Sequence, residues 1–557
     1  MPWDLLLTLL PIAVVLIALL VFRRPADISG VIGWGVIALV AFFFFQTSWE
    51  VIARSTAAGF IRSFPVSMIV AASLLQMALM EKTGALKRVV LFIKTLASDN
   101  RAVSIMMVSI GFGTLMVAVG ATPVSVLPPI LIAMGYTTYV AIALPAIGYD
   151  SLCTYALLGA PIVVFVDFAN RHLGLPPDHV NAVTLSQAGM VFYKFLPVVS
   201  TLIGFGMLWI VGRGKAMREG ALPCLVTGGV IAVVAYFTNR QDNLVVLTGV
   251  FCGLAVIVAM VLYLKIGGKR VIDASRLTVE EKQYAAGFSL FRALTPWLLL
   301  IGLILVLNLP KPIFEFLYGV GEQNKAMRLP ITGLTANEVP ISTRALWQAY
   351  TWIFVSTFLA IPLLRPTKAQ LADTFRVWFK RAPRPVFAAA IFFAIGEIME
   401  MTGWNMHKAV YNEAGEFVRM GGYAVPSMVQ VLADYSANAF QGAYGAIAAF
   451  IGLLGGFVTG SEASTIATFA TYTMKTSNQL WPLDQAGGLE AMLIVTAGLA
   501  FGGGLASVIS PAKLQNAAAS IDKIGEEGKV MRVAFVLSLI LTSVTAAFVM
   551  GLLAFNK

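Results

Sequence analysis

A chain of 557 residues that is 58% hydrophobic and only 12% charged has too little polar surface to enclose a water-soluble core, and its mean hydropathy of +0.83 agrees. The formal net charge of +11 does not mark a nucleic-acid binder, because the basic residues sit in short stretches between apolar runs, where membrane topology puts them. The expectation is an all-α polytopic membrane protein, surrounded by membrane lipid and without a nucleic-acid partner. Cys153, Cys224 and Cys252 lie in apolar segments without the spacing of a disulfide framework or a zinc site. His172, His179 and His407 are too scattered for HExxH-type chemistry, so no metal or other cofactor is expected.

Apolar runs of about 18 residues or more are candidate spans. They fall at 4–22, 29–46, 63–80, 187–212, 221–237, 243–264, 290–308, 347–364, 386–401 and 530–554. The first lacks a basic flank before it and a small-residue cleavage site after it, so Asp4–Phe22 reads as a retained span. Arg23 and Arg24 follow that span, and Arg213, Lys215 and Arg218 follow 187–212, which places these loops in the cytoplasm and the N-terminus outside. Residues 85–97 put Lys87, Arg88 and Lys94 on one helical face, either as a helix lying in the interface or as a plain loop helix. The loops 265–289 and 365–385 are basic and read as cytoplasmic, the second with an interfacial amphipathic helix around Phe375–Phe379. Residues 311–346 read as external.

Two apolar regions, 102–167 and 424–525, do not divide into full spans. The first has a small, polar stretch at Gly120–Ser125, and its next apolar segment is broken at Gly148, Tyr149, Asp150 and Ser151. The second has GGFVTGSEASTIATFAT at Gly455–Thr471, with its polar centre at Thr459–Thr465, and then a segment broken at Gly502, Gly503, Gly504, Ser507, Ser510 and Pro511. In hydrocarbon a helix breaks only where protein or a water-filled cavity covers the freed backbone, so such tips mark a site. The other reading of the second tip is a plain helix whose Ser and Thr bond back to their own carbonyls. A hairpin tip followed by a discontinuous helix, once in each half, is the pattern of an inverted-repeat secondary transporter. The expected organisation is N-terminal scaffold spans at 1–101, a first transport repeat at 102–186, central scaffold at 187–385, a second transport repeat at 386–525 and a C-terminal span at 526–557.

Four stretches resemble the lactate permease family of bacterial monocarboxylate carriers, in a likeness that runs thinly along nearly the whole chain. RALTPWLLL (292–300) is similar to the family's RAWTPF segment, and VTGSEAST (458–465) to its LTGSDTSS tip. ISPAKLQNAAASI (509–521) is similar to ISPQSIAIACAAV, and IGYDSLCTYALLGAPI (147–162) to VNTAPVAFGAMGIPI. The first tip departs, since GTLMVAVGATPVSVL (113–127) lacks the glutamate and GFG of the family's FLEGAAGFGAPVAI. Asp150 stands where the family has asparagine, Glu462 replaces an aspartate, and Lys513 falls near a glutamine or serine, the mark of a divergent branch. The resemblance implies a proton-coupled symporter of small 2-hydroxy monocarboxylates such as L-lactate, D-lactate or glycolate in the bacterial inner membrane. By distant likeness to the ion-transporter superfamily it also implies an elevator mechanism and a homodimer.

An anion can be held in a membrane by tip amides and helix N-termini without an arginine, and Arg and Lys are nearly absent from the spans. The candidate substrate ligands are Thr122 and Ser125 in the first tip, and Ser461, Ser464 and Thr465 in the second. Lys513 either snorkels to the interface or pairs with Asp150, Glu462 or the substrate. Ion coupling needs an acid that changes protonation or a carbonyl cage for sodium, and Asp150, Glu397, Glu400 and Glu462 are the candidate acids. Glu397 and Glu400, three residues apart, either share a proton or face an aqueous vestibule. Asp434, Asn438 and Gln441 turn polar groups toward the second hairpin. Two other readings stand beside this one: a sodium-coupled carrier of another small organic anion, and a membrane-embedded enzyme. The enzyme reading is weakened by the absence of a GxSxG or HExxH motif and by a lone histidine near the acid pair.

Overall fold

Without water to pair their backbones, long apolar runs close their hydrogen bonds internally as helices. In the computed structural model, thirteen helices among the described residues are long and apolar enough to cross a membrane. The structure describes residues 3–96, 100–175, 179, 181–412, 416–523 and 525–555, with the backbone alone at Tyr149, Arg419, Ser507, Pro511 and Ala512.

The N-terminal part comprises α1 (Trp3–Leu20), α2 (Ala26–Phe44), α3 (Trp49–Arg62), α4 (Phe64–Lys82) and α5 (Ala85–Thr95). Helix α3 carries Glu50, Arg54 and Arg62, too many charges for a span pattern, and starts where the Ser48 hydroxyl accepts from Val51 N. Helix α5 buries Val89, Leu91 and Ile93. The first irregular region follows as α6 (Arg101–Ala118), α7 (Pro123–Ala133), α8 (Thr138–Gly148) and α9 (Ala156–His172).

In the centre are α10 (Leu185–Tyr193), α11 (Leu196–Glu219), α12 (Ala221–Asn239), α13 (Thr248–Ile266), α14 (Val279–Gly287) and α15 (Leu290–Asn308). The span expected at 187–212 is thus two helices, because Pro197 lacks an N–H and fits only the first turn of α11. Two of the three basic residues of α5 are tied to the 265–289 segment while Lys87 is exposed: Lys94 Nζ bonds both carboxyl oxygens of Glu281 on α14, at 2.9 and 2.8 Å, and Arg88 Nε donates to Phe288 O at 2.8 Å.

Residues 311–346 contain α16 (Lys311–Tyr318) and a minimal ladder of β1 (Pro330–Ile331) with β2 (Ile341–Ser342). Next come α17 (Ala349–Leu364), α18 (Lys368–Arg381) and α19 (Pro383–Met401). Helix α18 opens on a capping box of Thr367 and Gln370, and its Trp378 Nε1 donates to Ala71 O of α4 at 2.8 Å. An antiparallel pair, β3 (Trp404–Tyr411) and β4 (Phe417–Tyr423), follows α19. The span pattern did not foresee this pair.

The second irregular region is α20 (Met428–Phe440), α21 (Tyr444–Thr459), α22 (Glu462–Leu480), α23 (Gly488–Ala506) and α24 (Pro511–Ala519), and α25 (Glu527–Phe555) closes the chain. Helices α21 and α23 touch backbone to backbone. A Cβ at Gly452 would lie 1.9 Å from Leu499 O, and one at Gly456 would lie 2.0 Å from Gly503 O, so only glycine fits this seam. This changes the reading of Gly502, Gly503 and Gly504: they stay helical inside α23, and the break comes after them, at Ser507–Ser510. Gly148 likewise stays in α8, and the first break is the 3-10 segment Tyr149–Tyr155, after which Leu157, Leu158 and Gly159 all have positive φ. A non-glycine residue held there costs on the order of 1–3 kcal/mol, so the packing around α9 fixes this break.

Candidate functional site

The second tip turns on Gly460 (φ +68), which ends α21 in the left-handed conformation open to glycine. Ser461 then caps α22, its hydroxyl accepting from Ser464 N at 3.4 Å. Thr465 Oγ1 donates to Ser461 O at 2.8 Å, and Thr459 Oγ1 donates to the same carbonyl at 3.0 Å. Two of the candidate ligands are therefore occupied in holding the tip together. Thr465 is fully buried, with its methyl group beside Gly455 and Gly503. Ser464 is also buried.

This tip places Glu462 in the first turn of α22, 2% exposed. Thr154 Oγ1, in the first break, donates to Glu462 Oε1 at 2.7 Å. Cys153, Asp150 and Lys513 lie around the same carboxyl. The other oxygen, Oε2, is enclosed without a hydrogen-bond partner. Space for it exists because residue 504 is glycine, where a Cβ would lie 2.7 Å from Oε2 and 3.3 Å from Cys153 Cβ. Ser510 of the second break borders the tip, its Oγ 3.0 Å from where a Cβ on Gly460 would stand. A cavity of about 10 Å³ beside Asp150, lined also by Leu505, Val508 and Ser538, is about the size of one water.

Glu462, Asp150 and Lys513 thus converge, and Cys153, Thr154 and Ser510 join them. The sequence reading missed Thr154 because it placed the first break at 148–151 and took the following residues as resumed helix. The first tip is elsewhere. Thr122 and Ser125 are exposed, and Gly120 packs against Ser73 of α4. Among the described residues no hydrogen bond or ion pair joins Thr122 or Ser125 to the second tip. What meets the second tip is the first break.

A second polar cluster lies at the ends of α3, α9 and α19. Arg171 grips Glu397 in a two-pronged pair, Nη1 to Oε2 at 2.6 Å and Nη2 to Oε1 at 2.7 Å, with the side chains 10% and 2% exposed. Arg171 Nη2 also reaches Glu400 Oε2 at 3.2 Å, and Arg62 Nε stands 3.4 Å from Glu397 Oε2. Thr471 Oγ1 donates to Glu400 Oε2 at 3.3 Å. Arg171 thus bridges the two glutamates, its guanidinium reaching both carboxylates. Arg62 and Arg171, in the last turns of their helices, bring two guanidiniums to a region where the sequence shows few Arg or Lys within the spans. Each ends an apolar run, in FIR (60–62) and NRH (170–172), and reads as a flank until the fold is known. Asp434 accepts from Gln430 Nε2 at 2.8 Å and Gln479 Nε2 at 2.6 Å, which ties α20 to α22, while Asn438 and Gln441 are exposed.

The sequence profile of the L-lactate permease family matches residues 4–555. The chain belongs to that family. Its relatives include the glycolate permease GlcA of Escherichia coli K12, 23% identical over 573 residues, which cover 97% of this chain and 94% of that one. The L-lactate permease of the same strain is 22% identical, covering 96% of this chain and 93% of the relative. The L-lactate permease of Streptococcus iniae is 20% identical over 85% of this chain and 91% of its own length. The permease is accordingly a multi-pass membrane transporter and not an enzyme.

Proposed function

We propose that the permease is a secondary active carrier that takes up small 2-hydroxy monocarboxylates, L-lactate, D-lactate or glycolate, together with protons. The observation that supports this most is the enclosed Glu462 carboxyl, bonded to Thr154 through one oxygen and without a hydrogen-bond partner on the other. A carboxyl so enclosed is a natural proton carrier. An anion bound beside it favours its protonated form, because two adjacent negative charges repel, so proton and substrate travel together. Ser510, Lys513, Ser464 and the amides at the start of α22 supply the anion's partners, the helix N-terminus adding positive potential. Asp150, within electrostatic reach, is the second proton acceptor on this route.

In this reading the two regions of hairpin and broken helix, α6–α9 and α21–α24, form an inverted repeat that moves as a transport unit. It slides against the scaffold of α1–α5 and α10–α18, elevator fashion, in a homodimer. The permease sits in the bacterial inner membrane with its N-terminus outside, as the basic loops argue. The test is uptake of labelled L-lactate, D-lactate and glycolate into proteoliposomes, with proton and sodium gradients imposed separately. Accumulation under the proton gradient alone supports the reading, and accumulation only under sodium replaces protons by sodium. Accelerated exchange in counterflow separates a carrier from a channel.

A further inference from the structure

We infer that Arg62, at the junction of α3, α9 and α19, is a binding site for the carboxylate of a small monocarboxylate, separate from the Glu462 tip. This rests on the reading of the permease as a monocarboxylate carrier. In the cluster described above, one carboxylate serves two guanidiniums. Arg171 takes both oxygens of Glu397 at 2.6 and 2.7 Å and leaves Arg62 a single approach, Nε to Oε2 at 3.4 Å. Arg62 Nε and Nη2 are both enclosed without a hydrogen-bond partner. Two buried guanidinium donors without acceptors are costly, and a planar carboxylate is the ligand whose two oxygens match them.

The surroundings define what fits. Arg171, Glu397, Glu400 and Asp167 are the charged groups that face Arg62. Asp167 is held by Arg344 at 2.8 Å, and Glu400 by Arg171 and Thr471, so each of these acids already has a partner. The Arg62 side chain is 15% exposed, so any opening toward it is small. Its neighbour Glu400 is tied to β4 through its backbone, where Tyr423 Oη donates to Glu400 O at 2.9 Å. The small exposure and the crowding by acids favour an anion of a few heavy atoms with one negative charge. Its arrival gives Arg62 a carboxylate of its own and leaves Arg171 and Glu397 paired.

The experiment is uptake of L-lactate by full-length protein in proteoliposomes, with KM and kcat resolved for the wild type, Arg62→Gln and Arg62→Lys, and with methyl lactate as a competitor that lacks the charge. Removing the fork from a charged hydrogen-bonded partner is expected to raise KM about tenfold or more in Arg62→Gln, with kcat within about twofold. Arg62→Lys keeps the charge but not the fork, and is expected to raise KM by about threefold. Methyl lactate is expected to compete equally weakly with all three. A KM equal to wild type in Arg62→Gln makes Arg62 a helix-end cation only and overturns the site, while the carrier reading stands. If Arg62→Gln fails to fold, an unchanged KM in Arg62→Lys overturns the site in its place. Wild-type protein that moves neither lactate nor glycolate removes the carrier reading itself, and the site with it, before any variant is compared.

Discussion

Thr154 and Glu462, 308 residues apart in the chain, are joined by a 2.7 Å hydrogen bond that ties the first broken segment to the second hairpin tip. A protonatable group shared between two interruptions senses both of them, so its neutral form is the one to imitate. Glu462→Gln is expected to keep lactate or glycolate exchange and to lose uphill accumulation driven by a pH gradient. Counterflow and gradient-driven uptake in the same proteoliposomes measure the two separately. Full accumulation in Glu462→Gln would move the coupling role to Asp150.

Thr154→Val removes the hydroxyl with little change in shape. One hydrogen bond to a carboxyl is worth about 1.5–3 kcal/mol, so a roughly tenfold or greater change in the transport constant is expected, with the protein still folded in the membrane. Thr122→Ala, on an exposed hydroxyl away from this bond, is expected to change the same constant by less than about twofold. Equal effects from both substitutions would deny the first break its part in the site.

Gly504→Ala tests the space rather than the chemistry. The added Cβ would stand 2.7 Å from Glu462 Oε2, so the carboxyl must swing away or α23 must shift. Overpacking of this kind costs about 1–3 kcal/mol. Transport is expected to fall while the amount of protein extracted from the membrane stays near wild type; wild-type transport would show that Oε2 needs no such room.

The buried pair of Arg171 and Glu397 makes a stability prediction. Glu397→Gln leaves Arg171 buried without its two-pronged partner, a loss of about 3–5 kcal/mol. A lowered melting temperature in detergent is expected for Glu397→Gln and for Arg171→Gln alone, and the double substitution is expected to recover part of the loss. Strictly additive losses in that cycle would deny the pairing.

What the sequence disclosed divides along physical lines. Long apolar runs such as α1, α12, α15 and α25 were readable from hydropathy, because length and composition alone decide them. The second tip was readable as well, since Thr459, Gly460, Ser461 and Glu462 interrupt an apolar run and small polar residues at that depth have few uses. Contacts between distant segments were not readable. Arg171 looks like an ordinary flanking cation in NRH, and only the packing of α9 and α19 against the same helix, α22, brings it to Glu397. Thr154 looks like one more hydroxyl in a helix until the break is seen to run on to Tyr155. The β3–β4 pair escaped because Gly403, Gly421 and Gly422 and the charged residues between them resemble a loop. Gly502, Gly503 and Gly504 misled for a simple reason: glycine marks a kink and a close helix contact with the same letter.

The glycine seam between α21 and α23 also bears on how the chain is made. The tip at Gly460 and Ser461 exposes polar backbone that hydrocarbon does not tolerate uncovered. Its cover includes Gly503 and Ser510, which follow it in the sequence. A ribosome delivers α21 and α22 first, so the hairpin has no dry place to lie until α23 and α24 have emerged. The cover of the second hairpin is therefore completed only when α23 and α24 have emerged, late in synthesis.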